Sequence, residues 1–125
     1  MEDIKYRPAC LEDVPALVQL EDECFEYDRL TEKNFRHIIK KGNADVVLQF
    51  SGKNLSGYGA LFYRRGTSLA RLYSLAISPR LRGHGLGQKL LARLEKVAHD
   101  KNMSYLRLEV KSENKIAREL YEKRG

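Results

Sequence analysis

The chain has 125 residues and a mass of 14.4 kDa, enough for one hydrophobic core and too little for two domains of ordinary size. With 42% hydrophobic and 32% charged residues, three prolines and nine glycines, its composition is that of a globular domain rather than a disordered or fibrous chain. The formal net charge of +6 is unevenly spread: residues 1–54 carry 8 basic and 11 acidic side chains, and residues 55–125 carry 15 and 6. The later part is therefore expected to face an anion, whether nucleic acid, ribosome or a phosphorylated cofactor.

The longest run free of charged residues covers positions 54–63, ten residues, about half of the ~20 that a membrane-spanning helix needs. Glu2 and Asp3 stand where a secretory leader would place positive charge, and no apolar run follows them, so the expected location is the cytoplasm. Cys10 and Cys24 are the only cysteines and form no Cys-x-x-Cys pair, so neither a disulfide framework nor a zinc site is indicated. No repeat or Pro/Ser-rich linker interrupts the chain, which reads as a single domain over residues 1–125.

In chain order, a short strand is predicted over residues 5–8. A helix follows, with Leu11, Val14, Leu17, Val18, Glu21, Cys24 and Phe25 on its mostly apolar stripe and Pro15 tolerated near its first turn. Thr31 can cap a second helix carrying Phe35, Ile38 and Ile39, closed by Lys41 and Gly42. Two β-rich runs, residues 46–50 and 58–63, flank the turn-forming Ser51-Gly52-Lys53-Asn54 and should pair antiparallel. A strand over residues 70–77 leads through a glycine-rich turn into an amphipathic helix marked by Leu86, Leu90, Leu91, Leu94, Val97 and Ala98. A strand over residues 105–110 and a last helix with Ile116, Ala117, Leu120 and Tyr121 complete the reading. The strand-helix-strand order over residues 70–110 requires a right-handed crossover and a parallel strand pair, so the expected class is mixed α/β.

The turn Arg82-Gly83-His84-Gly85-Leu86-Gly87 lies between a strand and a helix, where unpaired N–H groups and the positive end of the helix dipole converge on an anion. Its glycines allow positive φ and close approach of a phosphate oxygen. It is not a Walker loop, since Gly87 is followed by Gln88-Lys89, and its G-x-G-x-G spacing is not the dinucleotide fingerprint.

On these residues the stretch LYSLAISPRLRGHGLGQKLL (72–91) resembles the acetyl-CoA-binding core of the GCN5-related N-acetyltransferases, with Arg82, Gly85 and Gly87 at the signature positions of [Q/R]-x-x-G-x-[G/A]. LRLEVKSENKIARELYEKRG (106–125) is similar in particular to the ribosomal-protein-alanine N-acetyltransferase branch, and IKYRPACLEDVPALVQLEDECF reads like the family's first strand and helix. The resemblance implies a mixed, mostly antiparallel sheet with a central parallel pair and flanking helices. It also implies an acetyl-CoA donor and a primary-amine acceptor, a protein N-terminal α-amine first and a small amine or protein lysine next.

Carried over residue by residue, the resemblance gives Leu75, Ala76 and Ile77 the main-chain contacts to the pantetheine arm. It gives Gly83, His84, Gly85, Leu86, Gly87 and Gln88 the pyrophosphate, with Arg82 as the basic lead residue. Asn114 would meet the cofactor arm or cap the last helix, and Lys89, Lys115 and Arg118 are candidates for the 3′-phosphate or plain surface charge. The reaction needs a base to free the amine and an acid for the departing thiolate. Glu109 is the candidate base, with an ion pair to Arg107 as the structural alternative. Tyr121 is the candidate acid, with a core aromatic as the alternative. By the same resemblance residues 25–30, with Phe25 and Tyr27 as the contacts, would form the loop that selects the acceptor, with exposed loop charge as an equal explanation of its acids. No metal site is expected.

Relatives of this kind ordinarily continue past the position of Gly125 with a phenylalanine and two antiparallel strands. A sheet ending on the fifth strand would expose an edge that invites a homodimer, and loss of turnover would leave an acyl-CoA-binding module. A nucleic-acid-binding domain is the weakest reading, because the tyrosines are scattered rather than interleaved with a basic patch.

Overall fold

In the computed structural model, residues 3–108 are described; Glu109, Asn114, Lys115, Arg118 and Tyr121, and with them the predicted last helix, lie outside that range. Strands β1 (Ile4–Pro8), β2 (Ala44–Ser51), β3 (Asn54–Tyr63), β4 (Leu69–Ile77) and β5 (Tyr105–Leu108) form one sheet in sequence order. The first four are antiparallel, and β4 and β5 pair in parallel. Helices α1 (Val14–Cys24) and α2 (Glu32–Lys40) cover one face, and α3 (Leu86–Asp100) covers the other as the crossover between the parallel strands. The mixed sheet expected from the sequence is present. Among the described residues, no helix is long and apolar enough to cross a membrane.

The two faces make two cores. Leu61, Leu72, Leu75 and Ile77 pack under Leu86, Leu90, Leu91 and Leu94 of α3. Val46, Leu48, Tyr58 and Ala60 pack under Val14, Leu17, Phe35 and Ile38. Thr31 caps α2 as expected, its hydroxyl accepting from the Asn34 N–H, while the Asn34 side chain accepts from the Thr31 N–H. Truncating either buried leucine of α3, at 90 or 94, to alanine is expected to cost roughly 2–5 kcal/mol.

The β2–β3 hairpin is tighter than the sequence suggested. Its loop is only Gly52-Lys53, and β3 begins at Asn54 rather than near Tyr58. Glycines at 57 and 59 break the β-forming pattern, yet both lie within the strand. A Cβ on Gly59 would overlap the Leu94 side chain, so this glycine lets α3 settle close on the sheet. The pairing shifts between Gln49 and Phe50, leaving Ser56 as an extra residue on β3.

Candidate functional site

β4 carries its own bulge. Ala60 pairs with Ser74 and Leu61 with Leu72, so Tyr73 is the inserted residue. The insertion moves the side chains by one step: Ala70 and Leu72 face α3 before it, and Leu75 and Ile77 face α3 after it. Tyr73 packs instead on the α1/α2 side, where Ser74 also meets Tyr58. The described pairs with β5 run from Leu69–Tyr105 to Leu72–Leu108, up to the bulge. Beyond it the side chains of Leu75, Ala76 and Ile77 are buried, and their backbone pairs with β3 through Gly59, Tyr58 and Gly57.

After Ile77 the chain makes one 3-10 turn, Pro79–Leu81, and reaches the glycine loop. Gly83 has φ +88° and Gly85 +76°, the second standing as the N-cap of α3. Both lie in the left-handed region that a residue with a Cβ enters only at a cost of about 1–2 kcal/mol. The expectation that glycine supplies positive φ holds at these two positions and not at Gly87, which lies inside the first turn of the helix.

No side chain caps α3, and its first turn carries no acidic residue. The leading N–H groups of a helix have no acceptor of their own. Here those of Leu86, Gly87 and Gln88 meet the positive end of a 15-residue helix dipole. A Cβ built on Gly83 or Gly85 meets nothing within 4 Å, so the space beside the turn is open. An uncapped helix start, open ground and a first turn without a carboxylate suit a phosphate group.

Two sets of hydrogen bonds hold this turn. Gln49, fully buried on β2, donates from Nε2 to the Leu86 carbonyl at 2.9 Å and toward the Tyr6 hydroxyl at 3.1 Å, and its Oε1 accepts from Ser56 Oγ at 2.7 Å. On the other side Arg82 Nε donates to the Ile77 carbonyl at 3.2 Å, and the Ser78 N–H donates to the Ser56 carbonyl at 2.7 Å. The motif's basic residue is thus anchored to the end of β4. Arg82, His84 and Lys89 are exposed, and Gln88 is half-buried.

Two groups to which the sequence assigned no role lie on the α1/α2 side of the sheet. Cys24 lies outside the glycine motif in sequence, yet its thiol donates to the same Ile77 carbonyl at 3.3 Å. Burial pushes that thiol up to about 11, against the pull of the neighbouring Arg82 guanidinium. The second group is a buried chain of oxygens. Tyr58 donates to Glu21 Oε1 at 2.5 Å, its hydroxyl lies 2.8 Å from Ser74 Oγ at the bulge, and the Leu30 N–H donates to Glu21 Oε2 at 2.8 Å. Burial, reinforced by the Glu21 carboxylate, holds the Tyr58 phenol well above its usual range. A carboxylate in the apolar stripe of α1 was the available sequence signal, since such a residue stays buried only with partners.

On the α2 face lies a cavity of about 580 Å³, bordered by Tyr73 and Phe62 of the sheet, by α2 and by Asp28 and Arg29 of the loop before it. Of the two predicted acceptor contacts, Phe25 packs partly buried against the core beneath α1 and α2, and Tyr27 is 65% exposed. Neither borders this cavity. Among the described residues, no cluster of three or more His, Cys, Asp or Glu side chains could hold a metal ion.

The profile of the acetyltransferase (GNAT) family matches residues 14–125. The chain belongs to the GNAT family. Thialysine N-epsilon-acetyltransferase of Bos taurus is 31% identical over 111 residues, which is 86% of this GNAT chain and 65% of the bovine protein. The chain thus spans just under two thirds of that relative's length. A putative [ribosomal protein bS18]-alanine N-acetyltransferase of Bacillus subtilis is 25% identical over 115 residues, 92% of this chain and 75% of that protein. Among solved structures, the PaiA N-acetyltransferase of Thermoplasma acidophilum, crystallised with coenzyme A, superposes with a TM-score of 0.84 at 20% identity, over 98% of this chain and 89% of that one. The ribosomal-protein-S18-alanine N-acetyltransferase of Escherichia coli gives 0.84 at 22% identity, over 98% and 77%. These structural matches establish a shared fold.

Proposed function

We propose that the chain is an N-acetyltransferase that moves an acetyl group from acetyl-CoA to a primary amine. The observation that carries this reading is the uncapped start of α3, opened by left-handed glycines at 83 and 85 and fixed directly beyond the bulged β4. In this reading the N–H groups from Gly83 to Gln88 hold the pyrophosphate, and Arg82 closes its side. The main chain of Leu75, Ala76 and Ile77 aligns the pantetheine arm, and Asn114 is the residue whose side chain meets it. Acetyl-CoA supplies an activated acyl group as a thioester.

The amine nitrogen bonds to the acyl carbon and the carbon–sulfur bond breaks. Glu109, directly or through a water, takes the proton the ammonium must shed, and Tyr121 gives one to the departing sulfur. A main-chain N–H of β4 can stabilise the oxyanion that develops between the two events. Transfer is direct: the nearest thiol, Cys24, is neutral at pH 7 with its proton directed to a carbonyl, which makes it a poor nucleophile.

For the acceptor, the likeness of residues 106–125 to the alanine-acetylating branch and the bacterial relative's name support a protein N-terminal α-amine, met in the cytoplasm. The bovine relative, at higher identity, supports a small-molecule amine as the second reading. Within either, Phe25 and Tyr27 lie on the loop that would meet the acceptor.

Incubating the protein with acetyl-CoA and, in parallel, an alanine-initiated peptide, thialysine and lysine tests this directly. The reading requires free thiol and acetylated amine in equal amounts with at least one acceptor. Thiol release without an acetylated amine, or no release with any of them, would overturn it.

A further inference from the structure

The cavity on the α2 face lies on the side of the sheet away from α3 and its glycine turn, and its lining is cationic. Lys33, His37 and Lys41 border it at intervals of four residues on α2 and its C-cap, one stripe about 12 Å long at 1.5 Å per residue. Arg29 adds a fourth basic group, and Asp28 is the one acid among the described residues of the lining.

Arg29 is already paired with Asp22 at 3.6 Å, and Arg36, on α2 but not on the cavity, with Glu32 at 3.1 Å. Lys33, His37 and Lys41 have no carboxylate within ion-pair distance among the described residues. Nor does the helix itself call for a cation at Lys33, which sits in the first turn against the dipole. The charge kept there is available to a ligand.

The opposite wall is aromatic. Phe62 and Tyr73 stack at 4.7 Å between ring centroids and 21° between planes, and Lys41 Nζ lies 5.4 Å from the Phe62 ring centre. A cleft with charges of one sign on one wall and apolar groups on the other concentrates their field, because less of it is screened by water. A volume of about 580 Å³ is that of a small-molecule site. An amine acceptor in its ammonium form would be repelled by this lining, and Phe25 and Tyr27, the residues set toward the acceptor, do not border it.

We infer that this cavity is a second anion site, which takes a small molecule carrying two or more phosphate or carboxylate groups along Lys33, His37 and Lys41, any carbon frame resting on Phe62 and Tyr73. The site stands on its own residues and requires neither acetyl-CoA nor acetyl transfer.

Titration of inorganic pyrophosphate and, separately, of citrate into the chain without coenzyme A, followed by backbone amide NMR, tests this, because the resonances tell the two anion sites apart. The inference requires saturable shifts at residues 33–41, 62 and 73 with at least one of the two probes. Saturation by pyrophosphate alone marks a phosphate ligand and by citrate alone a carboxylate ligand, and either supports the site. K33E and K41E should each weaken that binding by about tenfold or more, the scale of one charge-assisted contact, and K33Q and K41Q by less, with thermal midpoints measured to establish that all four fold. 1,5-Diaminopentane should leave the same resonances unmoved. Shifts confined to residues 83–88, shifts that grow without saturation at every basic residue, unchanged affinity in the charge variants, or binding of the diamine in place of the anions would overturn it. Each of these outcomes leaves the acetyltransferase reading to its own turnover assay.

Discussion

Gln49 donates to the main-chain carbonyl of Leu86 at 2.9 Å, tying the buried middle of β2 to the first residue of α3. The same amide accepts from Ser56 Oγ, so one uncharged side chain positions the helix start on which the anion site depends. Replacing it with leucine keeps the bulk but removes the donor to the Leu86 carbonyl, while Ser56 Oγ keeps the main-chain carbonyl of residue 49 as its acceptor. The expected loss is about 1–3 kcal/mol of unfolding free energy by urea titration, together with weaker acetyl-CoA binding. A stable Gln49→Leu protein with unaltered affinity would show that the helix start holds its place without this link.

Arg7 donates two hydrogen bonds of 2.8 Å to Asp13, whose Oδ2 also accepts from the Cys10 N–H at 2.8 Å. The Arg7 guanidinium, with the Cys10 N–H helping and burial opposing, holds the Asp13 carboxyl well below the usual carboxylate range. A carboxyl depressed by folding contributes its stability above the unfolded value near 4 and loses it as pH falls toward the folded value. Asp13→Asn should therefore lower stability at pH 7 by about 1 kcal/mol, a modest figure because Arg7 is half exposed. It should also flatten the fall in thermal midpoint between pH 4 and pH 2, read by calorimetry at each pH.

Much of this was legible in the sequence because local rules and tertiary packing agree. Thr31 caps α2, Gly52-Lys53 turns the hairpin, and the leucine spacing of α3 marks the buried face. The anion turn was legible for the same reason, since glycines at 83 and 85 stand where the backbone needs positive φ. The start of β3 was not, because Gly57 reads as a break, and only the pairing shows it inside the strand, opposite Gln49 and Ile77, where a Cβ would meet the Ala76 carbonyl. Nor were the partners of Gln49, Cys24 and Glu21, which lie 37, 53 and 37 residues away and leave no periodic trace.

Tyr58 joins α1 to β4 through Glu21 and Ser74. Tyr58→Phe removes a donor from a buried carboxylate and should cost about 2–3 kcal/mol by denaturant unfolding. Tyr58→Phe with Glu21→Leu should cost less than the two single changes added together, because the partners are removed as a pair. Strict additivity would place the stability in packing rather than in the hydrogen bonds.

Cys24→Ala should keep acetyl transfer within a few-fold of the parent, since the thiol only donates to Ile77. Cys10, exposed, should react with a thiol reagent well before Cys24, whose pKa stands near 11. A loss of about 100-fold or more on Cys24→Ala, with an acetylated protein trapped by mass spectrometry, would point to an acyl-enzyme instead.

Glu109→Gln and Tyr121→Phe test the proton-transfer roles. Each should lower kcat by roughly 10²–10⁴ while leaving acetyl-CoA affinity within a few-fold. Unchanged turnover in either would remove that residue from the reaction.

The central claim is that the glycine turn ahead of α3 holds acetyl-CoA. Calorimetric titration of acetyl-CoA into the parent protein and into Gly85→Glu tests it most directly, because glutamate at this position enforces a strained φ and sets a carboxylate against the helix start. The account predicts one saturable site in the parent, lost in the variant, with both proteins folded by circular dichroism. Parent-like binding in Gly85→Glu, or none in the parent, would contradict it.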